Sequence, residues 1–181
     1  MKKFYKLLII LFTLSSLSLI NSCNPFDDIY LTLAMDTNFD ITAAGSDISI
    51  QRNFCLSDFE DYENNKEHLL EIRYISSAYI TINSTSGLQG NNLSLTLYRT
   101  DGTTILFKYT VPTFIAGNYK NNPLKIDLTQ QEIDDLNMYL KNPKENKCFV
   151  AKLDLSGVTA SSMPYNLECK LEFLTELKIE P

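Results

Sequence analysis

The chain has 181 residues and a formal net charge of −6, from 16 basic and 22 acidic side chains, a length that suits a single domain of ordinary size. An acidic chain without a basic stripe is repelled by phosphate backbones, so the composition disfavours nucleic-acid binding. The single histidine and the lack of a G-x-S-x-G signature also disfavour zinc and serine hydrolases, and we predict a protein that is not an enzyme.

The first residues have the pattern of a targeting signal. Lys2, Lys3 and Lys6 precede an apolar run over residues 7–20, which is fourteen residues long. A helix needs roughly 20 apolar residues to span a bilayer, so the run is too short for a permanent anchor. The pattern predicts a signal peptide over residues 1–22 that is removed on export. Its removal takes away three lysines and no acidic residue, which leaves a net charge of −9.

The signal ends in Ile20-Asn21-Ser22-Cys23, which resembles the lipobox of bacterial lipoproteins. The resemblance implies that Cys23 becomes the first mature residue and carries covalent lipid such as palmitate, with no other cofactor. The Asn-Ser pair before the cysteine is similar to the corresponding positions in lipoproteins of the Bacteroidota. Asp27-Asp28, shortly after the cysteine, resembles the acidic surface-export signal of those lipoproteins. The resemblance therefore implies an outer-membrane lipoprotein of the cell envelope, with periplasmic and cell-surface display both open.

A short lipidated tether over residues 23–28 should connect this anchor to the folded part of the chain. Five residues separate Cys23 from Ile29, and at about 3.4 Å each they reach roughly 17 Å when fully extended. We therefore expect a single domain over residues 29–181 that is held close to the membrane surface.

Apolar and polar residues alternate with a period of two along most of the remaining chain, which predicts seven or eight short strands. The candidate strands cover residues 29–35, 47–50, 72–82, 92–99, 104–111, 124–128, 148–155 and 167–179. The alternation slips at Ser76-Ser77, which indicates a bulge, and Asp101-Gly102 indicates a hairpin. Pro112 should either end its strand or mark it as an edge strand. The inward residues of the last strand should be Leu167, Cys169, Leu171, Phe173, Leu177 and Ile179.

Two capping boxes mark helix starts. Ser57 with Glu60 predicts a short helix or turn, and Thr129 with Glu132 predicts an amphipathic helix near residues 130–141. Many strands with one late helix and no βαβ alternation predict an all-β, mainly antiparallel β-sandwich. Immunoglobulin-like and other Greek-key arrangements both remain open.

Three cysteines follow Cys23, so they cannot all pair within the chain. Export permits one disulfide among Cys55, Cys148 and Cys169, and the sequence leaves all three pairings open. Cys169 shares the inward phase of Leu167 and Leu171, which favours a buried free thiol for it. The C-x-x-C spacing of a zinc site is absent.

The remaining polar candidates have simple structural interpretations. Asp36, Asn38 and Asp40 place oxygen-bearing side chains at alternate positions, as a calcium loop would, but a polar turn accounts for them and we predict no metal site. His68 should be a solvated surface residue. A cluster of acidic residues should face water at a capped helix start: Asp58, Glu60, Asp61 and Glu63.

Two functional hypotheses follow. The first is a membrane-anchored, non-catalytic β-sandwich that serves as a binding or structural module, with the membrane and an envelope protein or glycan as partners. The alternative is a glycan- or ligand-binding accessory lipoprotein of an outer-membrane uptake system. Tyrosines near turns or on outward phases are the candidate sugar platforms for that alternative: Tyr98, Tyr109, Tyr119 and Tyr165.

Overall fold

Eight strands form two four-stranded antiparallel sheets in a computed structural model that describes residues 28–180. The strands are β1 Ile29–Ala43, β2 Ile48–Cys55, β3 Leu69–Ser84, β4 Gln89–Arg99, β5 Ile105–Ile115, β6 Leu124–Ile126, β7 Cys148–Thr159 and β8 Tyr165–Ile179. The helices are α1 Glu60–Asn65 and α2 Gln130–Leu140, with 3₁₀ turns at Leu56–Asp58, Lys66–His68 and Ala116–Tyr119.

The strand order identifies the architecture. The first sheet runs β1-β8-β3-β6 and the second runs β2-β7-β4-β5, so consecutive strands mostly lie in opposite sheets. This order is the double Greek key of a jelly roll. The predicted antiparallel Greek-key sandwich is confirmed. The immunoglobulin-like alternative is wrong, because that fold pairs its strands within sheets in a different order.

One apolar core fills the space between the sheets. The six inward residues predicted for β8 are all buried, and Leu93, Leu95 and Leu97 face them from β4 with at most 1% exposure. Phe54 lies between two aromatic neighbours, with ring centroids 5.1 Å from Phe149 and 5.7 Å from Phe173. Each such side chain contributes about 1.5–3 kcal/mol through burial, so this alternation is what holds the two sheets together.

Helix α2 begins at the predicted capping box. The Thr129 hydroxyl accepts a hydrogen bond from the Glu132 amide at 3.3 Å, and the Glu132 carboxylate accepts one from the Thr129 amide at 2.8 Å. Leu136 and Leu140 point into the core. The predicted helix is confirmed to within one residue at its end.

The short helix predicted near Ser57 is present, but the capping box of Ser57 with Glu60 is wrong. The Ser57 amide donates to the Asn146 side chain at 3.0 Å, and α1 begins after Phe59 without a side-chain cap. Asp58 instead accepts a hydrogen bond from the Cys55 amide at 2.8 Å, which closes the preceding 3₁₀ turn.

Two strands run further than predicted. β1 continues to Ala43 through residues 36–40, where a turn was expected, because Thr37, Phe39 and Ile41 keep the inward phase. β5 continues through Pro112 to Ile115, and the proline is tolerated because β5 is the edge strand of its sheet. β3 has three register shifts, and the one between Tyr74 and Ser76 lies one step before the predicted bulge at Ser76-Ser77.

The strands give the sandwich two distinct ends. Ile29, Leu69 and Ile179 lie side by side on β1, β3 and β8, and we call this the entry end because the described chain begins there. The opposite, distal end carries four connections, which are residues 44–47, 85–88, 116–123 and 160–164.

Candidate functional site

The predicted lipid site and signal peptide, Cys23 and residues 1–22, lie outside the described residues. The described chain begins with Asp28, whose carboxylate pairs with the Lys178 ammonium at 2.7 Å. The hydrogen bond to Asp28 raises the pKa of Lys178 above its ordinary value. This ion pair fixes the start of β1 against the end of β8, so the point where the chain enters the fold is defined.

Apolar side chains are exposed at the entry end. Ile29, Tyr30 and Leu31 are 47%, 55% and 39% exposed, whereas Leu33 and Met35 on the same strand are 1% and 2% exposed. The side chains of Ile29 and Leu31 therefore lie on the inward face of β1 but beyond the end of the core, where they contact solvent.

A polar groove of about 270 Å³ lies near the distal end of the second sheet. It spans three strands, because Asn91 on β4 pairs with Thr113 on β5 while Gln89 pairs with Thr159 on β7. Gly90 and Gly157 complete the lining. None of these six residues is charged or aromatic.

Two of the lining glycines lie where β4 and β7 approach each other closely. A Cβ on Gly90 would lie 2.9 Å from the Leu155 Cδ1 atom and from the Ser156 carbonyl oxygen. Gly157 has a φ of +61°, which favours glycine, and a Cβ there would lie 2.8 Å from the Asn91 amide nitrogen. The pairing of β4 with β7 shifts register on both sides of Asn91, so the hydrogen-bond ladder between these strands is irregular beside the groove.

The groove side chains can form several new hydrogen bonds. The side chains of Gln89, Asn91, Thr113 and Thr159 are exposed, so a ligand can reach them. Amides and hydroxyls both donate and accept. Such an uncharged set suits a neutral ligand rich in hydroxyl groups better than an ionic one.

The predicted tyrosine platform does not assemble. Tyr165 is buried and its hydroxyl donates to the Gly45 carbonyl at 2.8 Å. Tyr119 stacks on Phe114 with centroids 5.7 Å apart, and Tyr98 and Tyr109 are half-buried. The groove was not predicted, although Gly90-Asn91-Asn92 and Ser156-Gly157 interrupt the apolar alternation of β4 and β7.

The structure does not bring the calcium candidates together. Asp36, Asn38 and Asp40 point outward from one extended strand, so Asp36 and Asp40 lie about 13 Å apart along it. Calcium ligands lie about 2.3–2.6 Å from the ion, and one ion cannot contact both carboxylates. Asp36 instead faces the Lys170 ammonium at 3.6 Å. Among residues 28–180 no group of three potential ligands is arranged for a metal ion.

The cysteines separate into one pair and one buried thiol. Cys55 and Cys148 form a disulfide, which resolves the three open pairings. Cys169 is buried and free, as predicted. Burial raises the pKa of its thiol to about 12, against a hydrogen bond from Tyr79 that favours the thiolate. Thr81 in turn donates to the Tyr79 hydroxyl at 3.2 Å, so this thiol belongs to a buried structural network.

The remaining candidates lie on the surface. His68 is exposed at the entry end, as predicted, and its backbone carbonyl accepts a hydrogen bond from the Glu180 amide at 2.9 Å. The acidic cluster around α1 faces water, and Glu63 pairs with Lys66 at 2.8 Å. Over the described range, residues 28–180, we find no helix with the length and apolar character needed to cross a membrane.

Comparison with known proteins adds no family. No protein-family model and no curated protein match this sequence. Similar solved structures include a chain of infectious bursal disease virus strain Gx, which is 14% identical to this chain and has a TM-score of 0.33. The matched region covers 85% of this chain and 32% of the viral chain. The present chain thus spans about a third of that viral chain.

Two smaller viral chains are similar over most of their own length. A chain of Desmodium yellow mottle tymovirus is 7% identical with a TM-score of 0.34, and 83% of this chain and 84% of that one are covered. The BFDV capsid protein is 10% identical with a TM-score of 0.34, and the coverages are 83% and 99%. These identities and TM-scores are too low to support a statement about this chain, and the jelly-roll assignment rests on the strand order alone.

Proposed function

We propose that this protein is an envelope lipoprotein that is anchored through Cys23 and presents a non-catalytic jelly-roll domain as a binding or structural module. The observation that carries the proposal is the short spacer between the lipobox-like cysteine and the entry end. Only five residues separate Cys23 from Ile29, and Ile29 lies at one extreme of the sandwich. An acyl anchor at Cys23 holds that extreme at the membrane and directs the distal end away from it.

Metabolic labelling tests the anchor. Wild-type protein should incorporate radioactive palmitate, and Cys23→Ser should abolish incorporation. Cys169→Ser is the matched control, because it removes another cysteine while leaving the lipobox intact, and it should label like wild type. Palmitate incorporation that persists in Cys23→Ser would contradict the proposal.

The distal groove favours a second candidate function, glycan binding as an accessory to an outer-membrane uptake system. The six lining residues are uncharged, and two exposed amide and two exposed hydroxyl side chains can donate to and accept from sugar hydroxyls. The groove lies at the end of the sandwich opposite Ile29, where a protein anchored through Cys23 would meet its ligands. The lack of an aromatic platform predicts weak binding to single sugars, because stacking contributes much of the affinity in aromatic sites.

A glycan array with the full-length protein in detergent tests this candidate. Asn91→Ala and Thr113→Ala should each weaken binding, because each removes hydrogen-bonding groups from the groove. Asn38→Ala is the matched control, since Asn38 is an exposed strand amide on the other sheet. Binding that Asn91→Ala leaves unchanged, or an array without any bound glycan, would count against glycan binding.

A further inference from the structure

The apolar surface at the entry end has no protein partner among the described residues. Ile29 and Leu31 continue the inward phase of Leu33 but are 47% and 39% exposed, because the core ends before them. Tyr30 points outward from the same strand and is 55% exposed. Three consecutive apolar residues at the open end of an edge strand are costly to leave in water.

A fourth residue extends this surface across the sheet. Leu70 of β3 is 46% exposed and lies at the bulge between Leu69 and Glu71. Only β8 separates β3 from β1, and strands lie about 4.8 Å apart, so Leu70 is roughly 10 Å from β1. We call Ile29, Tyr30, Leu31 and Leu70 the entry patch.

We infer that the entry patch contacts the lipid bilayer and sets the orientation of the domain on the membrane. The inference rests on the proposed anchor at Cys23. A tether of five residues reaches at most about 17 Å, so the patch stays within reach of the interface in which the acylated cysteine sits. Apolar residues at an interface sink about 5–10 Å into the boundary between headgroups and acyl chains, and tyrosine favours that zone.

The charges beside the patch favour lipid contact that does not depend on headgroup charge. Lys178 is paired with Asp28 at 2.7 Å and Arg73 is paired with Glu71 at 2.8 Å. Each of these two cations is therefore neutralised by an acid on the same surface. Anionic lipid gains little from such paired charges, so the contact is hydrophobic and should change little with salt.

Fluorescence quenching by lipids tests the inference with the full-length, acylated protein. Tyr30→Cys and Leu70→Cys carry a maleimide fluorophore, and Asp40→Cys is the matched control. Asp40 is exposed on the same face of β1 as Tyr30, about 33 Å away along the strand. Vesicles contain phosphatidylethanolamine and phosphatidylglycerol with brominated acyl chains. We expect loss of fluorescence at positions 30 and 70, equal at low and high salt, and no loss at position 40.

Several outcomes would overturn the inference. Equal quenching by aqueous iodide at positions 30, 70 and 40 would show that the patch remains in water. Protection from iodide without quenching by brominated lipid would show that another protein, or a second copy of this chain, covers it. Co-sedimentation with the vesicles reports on the anchor separately, so loss of the anchor and loss of the patch contact are distinguishable. Near-ultraviolet circular dichroism confirms that each variant is folded.

Discussion

Cys55 and Cys148 are direct register partners, and their disulfide joins the last residue of β2 to the first residue of β7. The two cysteines are 93 residues apart in sequence, so the bond closes more than half of the domain into a loop. Chain entropy predicts a stabilisation of about 4 to 5 kcal/mol for a loop of that length.

Replacing both cysteines by alanine should therefore lower the free energy of unfolding by about 3 to 5 kcal/mol, measured by urea denaturation. Wild-type protein under reducing conditions should show a similar loss, because both treatments remove the same cross-link. A double variant as stable as oxidised wild type would contradict the expected contribution.

The Cys169 thiol should be inert in the folded protein. Its pKa is raised by burial from the ordinary 9.0 to about 12, so the reactive thiolate is scarce at neutral pH and the sulfur is shielded. A maleimide should fail to react with native full-length protein and should modify one thiol after unfolding. Cys169→Ala should abolish that reaction. Rapid labelling of the native protein would count against the burial of Cys169. A second reactive thiol attributable to Cys23 would count against the acylation of Cys23.

Asp101 should give the β4–β5 hairpin an acid-sensitive contribution to stability. Its carboxylate accepts hydrogen bonds from Thr104 Oγ1, Thr104 N and Thr103 N at 2.6, 2.7 and 2.8 Å. These bonds lower its pKa from 3.8 to about 2, with the Thr104 hydroxyl as the largest cause. Because the pKa is lower in the folded state, the stabilisation is complete above pH 3.8 and is lost as the pH falls towards 2.

Carboxyl NMR titration of the folded protein checks this value directly. Asp101→Asn should remove that part of the pH dependence of thermal unfolding while the rest of the profile is retained. A midpoint for Asp101 near its ordinary value would show that the three hydrogen bonds do not persist in solution.

Gly90→Ala should destabilise the fold and distort the distal groove. The new methyl group would lie 2.9 Å from the Ser156 carbonyl oxygen, a backbone atom that cannot move aside without shifting β7. Overpacking of this kind costs about 1 to 3 kcal/mol. Gly45→Ala is the control, because a Cβ at Gly45 meets no atom within 4 Å. Equal stability of the two variants in urea would contradict the close approach of β4 and β7.

Local patterns in the sequence predicted much of this fold. The alternation of β8 and the capping box of Thr129 with Glu132 were recognisable because both depend on residues close in sequence. The extent of β1 was missed, since Asp36, Asn38 and Asp40 imitate a loop although they occupy the outward face of an edge strand.

Features that depend on the register between distant strands could not be predicted from the sequence. The partner of Cys55 is decided by the pairing of β2 with β7, which neither strand encodes alone. The distal groove likewise arises where the pairing of β4 and β7 shifts around Asn91. Its residues carry no charge or rare chemistry, so only the breaks in apolar alternation at residues 90–92 and 156–157 marked this place in the sequence.

The pairing of β1 also has a mechanical consequence. This edge strand is joined to its sheet only through β8, along register pairs that run from Ile29–Ile179 to Ala43–Tyr165. Antiparallel hydrogen bonds lie perpendicular to the strands, so a pull along β1 loads them together in shear and not one at a time. A domain tethered before Ile29 and dragged at its distal end by flow or by a bound ligand would be pulled in this direction, which is the one it resists best.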